Sequence, residues 1–225
     1  MASGRLGVRF PLSPPIYSSC IQVMIIPKLI LFDLGGVLVD CDNSFATAAK
    51  ELELSIDMID SVFDKYEAEI TLGKITPQQL YDRVLTEQKI SANRDYDFLE
   101  SWVNDYKTIK ATFDLLPCIA AQYQVALLSN TYRGVVELVK ARRLIPQIKF
   151  EFSFLSCELG MQKPDLSIYE FVEKSTGLNG AELLFIDDRV DFLIVPQKMG
   201  WGTIQFKRSD INNSIEKLTS FLKLA

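Results

Sequence analysis

Acidic, hydroxyl and amine side chains stand at the ends of apolar runs, or in the loops behind them, at four places in this sequence. They are Asp33, Ser129, Lys163, and the neighbouring pair Asp187 and Asp188. An acidic nucleophile, a hydroxyl donor, a cation and a pair of metal-binding acids are the groups that phosphoryl transfer requires. Three carboxylates in one place repel one another unless a cation lies among them, and oxygen ligands favour Mg²⁺. The residue types therefore predict metal-assisted phosphoryl chemistry if the fold brings them together.

Each of these residues also has an ordinary structural explanation. An Asp ahead of Gly35 and Gly36 fits a turn, and a Ser behind a strand fits a helix cap. A Lys in a loop is commonly solvated, and a pair of acids can cap a helix. These explanations compete well for one residue at a time. None of them accounts for all four places at once, so the joint pattern favours a site.

The composition narrows the classes of function. With 24 Lys and Arg against 29 Asp and Glu, the net charge of −5 disfavours nucleic acid or an anionic membrane and favours a small ligand. The sequence has no histidine, which excludes Ser-His-Asp and Cys-His catalysis and the commonest zinc ligand. The four cysteines are widely spaced and form no CxxC pair, which predicts reduced thiols and a cytoplasmic location.

Apolar runs that alternate with helical patterns predict the elements that position the polar residues. The predicted strands cover 26–32, 124–131, 150–155, 183–188 and 202–206, and the predicted helices cover 134–143, 164–176 and 211–224. Strands that alternate with helices form a doubly wound, Rossmann-like parallel sheet of the α/β class. Ligands bind at the carboxyl ends of the strands in such a sheet, which is where Asp33 is predicted to lie.

The segment 41–110 has helical spacing and no strand-like alternation, with predicted helices at 44–52, 55–70, 77–88 and 96–105. Thr76 and Pro77 are typical of a helix start. We predict a helical cap of residues 41–110 inserted after the first strand, and a core domain of residues 26–40 and 111–225. Aromatic residues of the insert could line a pocket, but helical spacing assigns most of them to its own core. They are Phe63, Tyr66, Tyr81, Phe98, Trp102 and Tyr106.

Residues 1–25 are basic, lack acids and contain a Pro-rich run. The apolar part from Ile16 to Ile26 is far shorter than the roughly 20 residues that span a bilayer. A leader of this composition also fits an organelle transit peptide. We expect a disordered extension, or an over-long start ahead of Met24, and leave it out of the fold.

Four stretches resemble the ordered motifs of the haloacid dehalogenase superfamily, spaced as in its phosphatases. They are FDLGGVL, LLSNT, GMQKPD followed by IYE, and FIDD, and they span the chain from Ile26 to the C-terminus. The wording of SNT and GMxKPxxxIY is most similar to bacterial glucose-1-phosphatase-like sugar phosphatases and to the N-terminal phosphatase domain of soluble epoxide hydrolase. The helical insert is similar to the helical cap of that superfamily.

The resemblance implies a Mg²⁺-dependent phosphatase that hydrolyses a small phosphomonoester, such as a sugar phosphate. Asp33 is implied to be the nucleophile that forms a phosphoaspartyl intermediate. Mg²⁺ is implied to bind Asp33, the carbonyl of Gly35, and Asp187. Asp188 is implied to reach the metal through water and to orient Asp187 and Lys163.

The phosphoryl oxygens are implied to lie against Ser129 and Lys163. Lys163 would also neutralise charge as it builds, which places it with Asp33 among the catalytic residues. Asn130 and the main chain of residues 34–36, which includes Gly35 and Gly36, are implied to add donors. The expected partner is a small phosphorylated substrate, with neither nucleic acid nor membrane, and the chain is expected to be a monomer or a homodimer.

The sequence departs from the resemblance at two places. Most phosphatases of the superfamily carry a second Asp two residues after the nucleophile, where this chain has Gly35. General acid-base help is worth about 10²–10⁴-fold, so its loss predicts slower turnover with binding retained. Some bacterial sugar phosphatases also have DLG there. Behind the acid pair, Phe192 replaces a frequent Asn and Pro196 is predicted to interrupt the next helix.

Three rival hypotheses stay open. A dehalogenase would also use an Asp nucleophile without a second Asp, but it needs no metal and leaves the pair Asp187 and Asp188 unexplained. A pseudoenzyme that binds a phosphorylated ligand with Mg²⁺ is suggested by Gly35. A structural domain explains none of the four strand ends.

Overall fold

The computed structural model of this protein describes residues 26–91 and 95–224. The strands are β1 (Leu29–Phe32), β2 (Val39–Asp40), β3 (Lys107–Thr108), β4 (Gln124–Ser129), β5 (Phe152–Leu155), β6 (Leu183–Asp187) and β7 (Gly202–Gln205). Five of them form a parallel sheet in the spatial order β5-β4-β1-β6-β7. The predicted doubly wound α/β sheet is confirmed, with β1 at its centre.

The helices complete the layers on both faces of this sheet. They are α1 (Ala46–Glu51), α2 (Ile56–Thr71), α3 (Pro77–Glu87), α4 (Phe98–Asn104), α5 (Lys110–Ala120), α6 (Val135–Ala141), α7 (Ser156–Leu159), α8 (Leu166–Thr176), α9 (Val190–Lys198) and α10 (Ile211–Leu222). Short 3-10 turns lie at Gly180–Glu182 and Arg208–Asp210.

The central strand is buried on both faces because its side chains alternate between two cores. Ile30 and Phe32 pack with residues of α5, α6 and α10, whereas Leu29 and Leu31 pack with residues of α8 and α9. All four side chains of β1 are almost fully buried. A strand covered by helices on both sides reads as a continuous apolar run, which is why the sequence predicted it.

Strand register places the first and last acidic positions side by side. Phe32 pairs with Ile186 in the parallel ladder between β1 and β6. Asp33 follows Phe32, and Asp187 follows Ile186. The Asp33 amide donates to the Ile186 carbonyl at 2.9 Å. Two carboxylates that are more than 150 residues apart in sequence are thus adjacent at one edge of the sheet.

Helices α1 to α4 form the insert between β2 and β3. These two strands pair antiparallel, with Val39 opposite Thr108, and tie the two ends of the insert together. The Thr76 hydroxyl accepts a hydrogen bond from the Gln79 amide, while the Gln79 side chain accepts one from the Thr76 amide. This capping box starts α3 where the sequence predicted a helix start.

The insert also contacts the sheet domain through a loop at Gly73, which follows α2. The Arg133 guanidinium, just behind β4, donates twice to the Gly73 carbonyl at 3.1 Å. A Cβ at Gly73 would lie 1.9 Å from the Cys157 carbonyl oxygen, and the residue has a φ of +66°. Only glycine permits this close approach, which fixes one wall of the space between the two units.

Most predicted elements appear within one or two residues of their predicted ends. One prediction was wrong: α9 runs through Pro196 to Lys198 instead of stopping at the proline. Pro196 lies in the last turn of the helix, where its missing N–H removes a single bond. The predicted extension 1–25 lies outside the described residues. None of the helices in the described part of the chain is long and apolar enough to cross a membrane.

Candidate active site

Three carboxylates converge at the carboxyl edge of the sheet. Asp33 follows β1, Asp187 ends β6, and Asp188 is the next residue. One oxygen from each lies within 4.8 Å of the others. Asp187 is fully buried and Asp33 almost so. Register alone, with strand ends that coincide, produces this cluster.

Lys163 is the cation of the cluster, and its side chain is fully buried. Its Nζ lies 2.6 Å from Asp187 Oδ2 and 3.1 Å from Asp33 Oδ1. The sequence alternative of a solvated lysine is therefore wrong. A single ammonium pairs with two carboxylates here.

Asn130, which follows β4, binds the main chain of Lys163 at both ends of its side chain. Its Nδ2 donates to the Lys163 carbonyl at 2.9 Å, and its Oδ1 accepts from the Lys163 amide at 2.9 Å. The sequence predicted Asn130 as a phosphate ligand only. The structure adds that Asn130 positions the lysine, and the residue also lines the adjacent cavity.

Ser129 ends β4 with a buried hydroxyl on the same edge. Its hydroxyl makes one long hydrogen bond, to the Asn130 carbonyl at 3.4 Å. A hydroxyl so weakly engaged can turn toward a ligand, since its hydrogen rotates freely about the C–O bond. Ser129 lines the cavity described below.

The turn after β1 uses its glycines for two different purposes. Gly36 has a φ of +72°, and a Cβ there would lie 2.3 Å from Asp188 Oδ2. Its amide donates to the Val39 carbonyl at 2.8 Å, and the Leu34 amide donates to Asp33 Oδ1 at 2.7 Å. Among the described residues, the Gly35 amide has no protein acceptor. Gly36 therefore makes room for Asp188, and the Gly35 amide is the donor that the turn leaves for a ligand.

Gly35 itself has an ordinary backbone conformation outside the left-handed region. A Cβ at this position would lie 3.2 Å from Cys41 Sγ, tighter than an ordinary van der Waals contact. The space in which the superfamily resemblance expects a second Asp is therefore partly occupied by the Cys41 side chain. Burial, followed by the charge of Asp33, raises the pKa of the Cys41 thiol to about 11.

The charges of the cluster do not balance within the protein. Burial raises the pKa of Asp187, and the nearby charge of Asp33 raises it further, against the opposing effect of Lys163. Burial and Asp33 also raise the pKa of Asp188. Three oxygen ligands with one lysine among them fit a hard divalent cation, whose charge would remove this repulsion.

Two cavities meet at this cluster. The first, of about 420 Å³, is lined by Asp33, Lys163 and Asp188. The second, of about 440 Å³, extends between the sheet and the helical insert and is lined by Ser129 and by residues of α2 and α4. Gly35 and Asn130 line both. The site therefore has one end with three acids and a second end beneath the insert.

The chain from residue 27 to residue 193 matches the haloacid dehalogenase-like hydrolase family. The chain belongs to this family. The motifs FDLGGVL, LLSNT and FIDD lie at strand ends, whereas GMQKPD lies in the loop between α7 and α8. The resemblance to the superfamily is confirmed.

Two curated relatives are phosphatases. The D-ribitol-5-phosphate phosphatase of Bacteroides thetaiotaomicron is 27% identical over 79% of this chain and 91% of its own length. The sesquiterpene phosphatase astK of Aspergillus oryzae is 25% identical over 77% of this chain and 86% of its own length. A HAD family enzyme of B. thetaiotaomicron, solved with magnesium and inorganic phosphate, is 26% identical with a TM-score of 0.69, covering 80% of this chain and 94% of that one.

Sequence reasoning missed two aromatic rings that enclose the lysine of this family member. The Lys163 Nζ lies 4.8 Å from the centroid of Phe192 and 5.1 Å from that of Phe185. Phe192 was identified only as a departure from a frequent Asn. Ring faces stabilise a desolvated ammonium, so the departure supplies a partner for Lys163.

Sequence reasoning also missed Arg208, which lies in the turn before α10. Its guanidinium binds both oxygens of Asp42 at 2.6 and 2.7 Å and one oxygen of Asp40 at 3.0 Å. These bonds hold the pKa of Asp42 below its usual value. They anchor the start of the insert to the sheet domain beside the charged cavity. No sequence signal links residues so far apart.

Proposed function

We propose that this protein is a Mg²⁺-dependent phosphatase that hydrolyses a small phosphomonoester through a phosphoaspartyl intermediate on Asp33. The observation that carries the proposal is the placement of Lys163 between Asp33 and Asp187, with Asp188 beside them and a cavity that extends beneath the insert. Phosphatases among the relatives, and a neighbour solved with magnesium and phosphate, support it.

Asp33 is proposed as the nucleophile. Its Oδ1 accepts from the Leu34 amide and faces Lys163, while Oδ2 has no donor among the described residues. Oδ2 attacks phosphorus, the bond from phosphorus to the leaving-group oxygen breaks, and that oxygen departs with the electron pair. Water then attacks the phosphoaspartate, which releases inorganic phosphate and restores the carboxylate.

The phosphoryl oxygens are proposed to lie against Lys163, the Ser129 hydroxyl, the Gly35 amide and the second hydrogen of Asn130 Nδ2. Each of these four residues lines at least one of the two cavities. The fixed ammonium neutralises charge on the phosphoryl oxygens as it builds, at no cost of reorganisation because Asn130 already holds its main chain.

Asp33, the Gly35 carbonyl and Asp187 are proposed to hold Mg²⁺, with Asp188 orienting them through water. When bound, Mg²⁺ withdraws charge from the phosphoryl group and offsets the repulsion among the three acids. The crowded carboxylates, whose pKa values rise through burial and mutual charge, fit that cation. The proposed ligands are all oxygen atoms, and the chain has no histidine that could supply a nitrogen ligand.

Departure of the leaving group is proposed to depend on its own acidity. Gly35 carries no acid, and the Cys41 thiol beside it is a poor donor because its pKa is raised to about 11. Esters with acidic leaving groups, such as aryl, acyl or anomeric phosphates, are therefore expected to react faster than simple alkyl phosphates.

Hydrolysis of p-nitrophenyl phosphate tests the proposal directly. We expect phosphate release that requires Mg²⁺, stops in a chelator, and is absent from Asp33→Asn, whose amide is not a nucleophile. Asp57→Asn, an exposed acid on α2, serves as a matched control for loss of one carboxylate. Hydrolysis that continues in Asp33→Asn would reject the assignment of the nucleophile.

A second candidate is a pseudoenzyme that binds a phosphorylated ligand without turnover. Gly35 supplies no acid, and the Cys41 side chain occupies part of the space from which an acid would act. Both features favour a protein that binds the ligand without turnover. Mg²⁺-dependent phosphate binding without hydrolysis of any ester would support it. A dehalogenase needs no metal and leaves the cluster of three carboxylates unexplained.

The cysteine pattern supports a cytoplasmic location for this phosphatase. Cys41, Cys118 and Cys157 are free thiols, as expected in a reducing compartment. A sugar or polyol phosphate is one substrate that the relatives suggest.

A further inference from the structure

The cavity beneath the insert is acidic. The charged residues that line it are Asp42, Asp60 and Asp64, and neither Lys nor Arg is among the described residues that do so. Asp42 is already neutralised by Arg208. The uncompensated charge of this wall therefore resides on Asp60 and Asp64.

Asp60 and Asp64 lie four residues apart on α2, which places them on one face of the helix. Among the described residues, neither carboxylate has an ion pair or accepts a hydrogen bond. Asp60 is partly buried, and its pKa is raised by that burial and then by the charges of Asp64 and Asp57. Two like charges at this spacing destabilise a helix, so an isolated fold gains nothing from them.

Aromatic rings form the rest of the wall, and they come from both units. Trp102 of α4 stacks on Tyr132, which follows β4, with centroids 4.6 Å apart. Phe63 of α2 meets both rings edge-on, at 5.6 and 5.7 Å. Phe45 packs on Trp102 at 4.7 Å. All four line the cavity together with the acids.

Resting on the proposed function, we propose that the leaving group of the substrate carries a positive charge, so that the substrate is a phosphorylated amino alcohol or a related amine. The phosphate lies at the end with Lys163, and the ammonium lies at the end with Asp60, Asp64 and the aromatic rings. Both acids are specificity-determining residues. The carboxylates of Asp60 and Asp64 pair with the ammonium, and the edges of the aromatic rings bound the space around it.

The charge of the cavity selects this class over two others. A neutral polyol accepts and donates hydrogen bonds, but it would leave the like charges of Asp60 and Asp64 unneutralised. A long apolar group would desolvate the partly buried Asp60 with no compensation. A cation neutralises the pair, so it is the group that this wall accommodates.

A matched series of esters tests the proposal. The probes are 3-aminopropyl, 3-hydroxypropyl and propyl phosphate. A fourth probe is the phosphate monoester of 3-hydroxypropionate, which carries a carboxylate at the end away from the phosphate. Binding to the full chain is measured by calorimetry in MgCl₂, and inhibition of p-nitrophenyl phosphate hydrolysis gives a second constant. Because its ammonium would form a charged hydrogen bond with Asp60 or Asp64, we expect 3-aminopropyl phosphate to bind about 10–100-fold more tightly than propyl phosphate.

Variants at the acids assign the preference to them. Asp60→Asn and Asp64→Asn should each reduce the ratio of amine to propyl affinity by about tenfold. Asp57→Asn lies on the same helix but does not line the cavity, and it should change the ratio by less than about twofold. Asp64→Lys, at an exposed position, should shift the preference toward the ester with a carboxylate.

The outcomes separate this inference from the proposed function. If p-nitrophenyl phosphate is not hydrolysed but the amine ester binds more tightly than the others, the phosphatase assignment fails and the inference stands. If hydrolysis occurs and the hydroxyl or propyl ester binds as well as the amine, the inference is overturned. Equal ratios in Asp60→Asn and Asp57→Asn would also overturn it.

Discussion

Asn130 and Lys163 exchange two hydrogen bonds, each 2.9 Å long, between an amide side chain and the main chain of the lysine. The residues lie on neighbouring loops of the sheet edge, 33 positions apart in sequence. This pairing fixes where the ammonium emerges between Asp33 and Asp187. The Asn130 side chain, predicted as a phosphate ligand, therefore also holds the main chain of Lys163.

Asn130→Ala should reduce turnover of p-nitrophenyl phosphate by about 10–100-fold, as losses of supporting residues usually do. The reason is that the Lys163 loop loses both bonds and its ammonium loses a fixed position. Steady-state kinetics measure the effect, with kcat falling more than affinity for phosphate. Asn104→Ala, which removes an exposed Asn bonded to Thr47 on the insert, is the control. Unchanged kcat in Asn130→Ala would show that the lysine is positioned by other contacts.

Lys163→Met should destabilise the metal-free protein by about 3–5 kcal/mol, because Asp33 and Asp187 would stay buried without their cation. Added Mg²⁺ should restore much of this loss, so the rise in Tm with Mg²⁺ should be larger in the variant than in the parent. Thermal unfolding with and without MgCl₂ measures both. Lys198→Met, at an exposed lysine of α9, is the matched control. A smaller response to Mg²⁺ in Lys163→Met would argue against a metal site at these acids.

Gly36→Ala should weaken Mg²⁺ binding by about 10–100-fold, since its Cβ would displace Asp188 from a distance of 2.3 Å. Titration calorimetry with MgCl₂ measures the change. Gly160→Ala is the control, because Gly160 has a similar φ of +64° with nothing within 4 Å of its Cβ. Both variants should lose about 1 kcal/mol through left-handed strain, but only Gly36→Ala should lose metal affinity. Equal metal affinity in the two would exclude Asp188 from the metal site.

Gly35→Asp combined with Cys41→Ala should raise the rate on alkyl phosphates by about 10²-fold and flatten the dependence of rate on leaving-group pKa. The backbone at Gly35 accepts a side chain, and removal of the sulfur opens the 3.2 Å contact. Rates on a series of aryl and alkyl phosphates measure the slope.

The single variants complete that experiment. Cys41→Ala alone should leave the slope steep, and Gly35→Asp alone should gain less because Cys41 crowds the new side chain. A shallow slope in the parent would mean that another group already donates the proton, and Gly35 would not be the missing acid.

The sequence by itself determined the sheet and the residues at its edge. Strands buried on both faces are continuous apolar runs, so their ends at Asp33, Ser129 and Asp187 were visible without a structure. Parallel strands have their carboxyl ends at one edge, which brings those residues together whatever the details of packing. The helix start at Thr76 and Pro77 was also visible, since it depends on neighbouring residues.

Only the tertiary structure decided how these residues are used. The aromatic residues of the insert divide between its own core and the cavity: Tyr81 and Phe98 are buried within the insert, whereas Phe63 and Trp102 line the cavity. Helical spacing is the same in both cases, because periodicity describes one face of a helix and not what lies opposite it. The wall with Asp60 and Asp64 was invisible for that reason.

Contacts between distant segments could not be predicted from the sequence either. Arg208 binds Asp42, which lies 166 positions earlier in the chain. Gly36, behind β1, makes room for Asp188, which follows β6. Neither residue type predicts its partner, since arginines and glycines have many uses on a protein surface and in turns. Such pairs follow from the packing of complete elements, and that packing is set by the whole core at once.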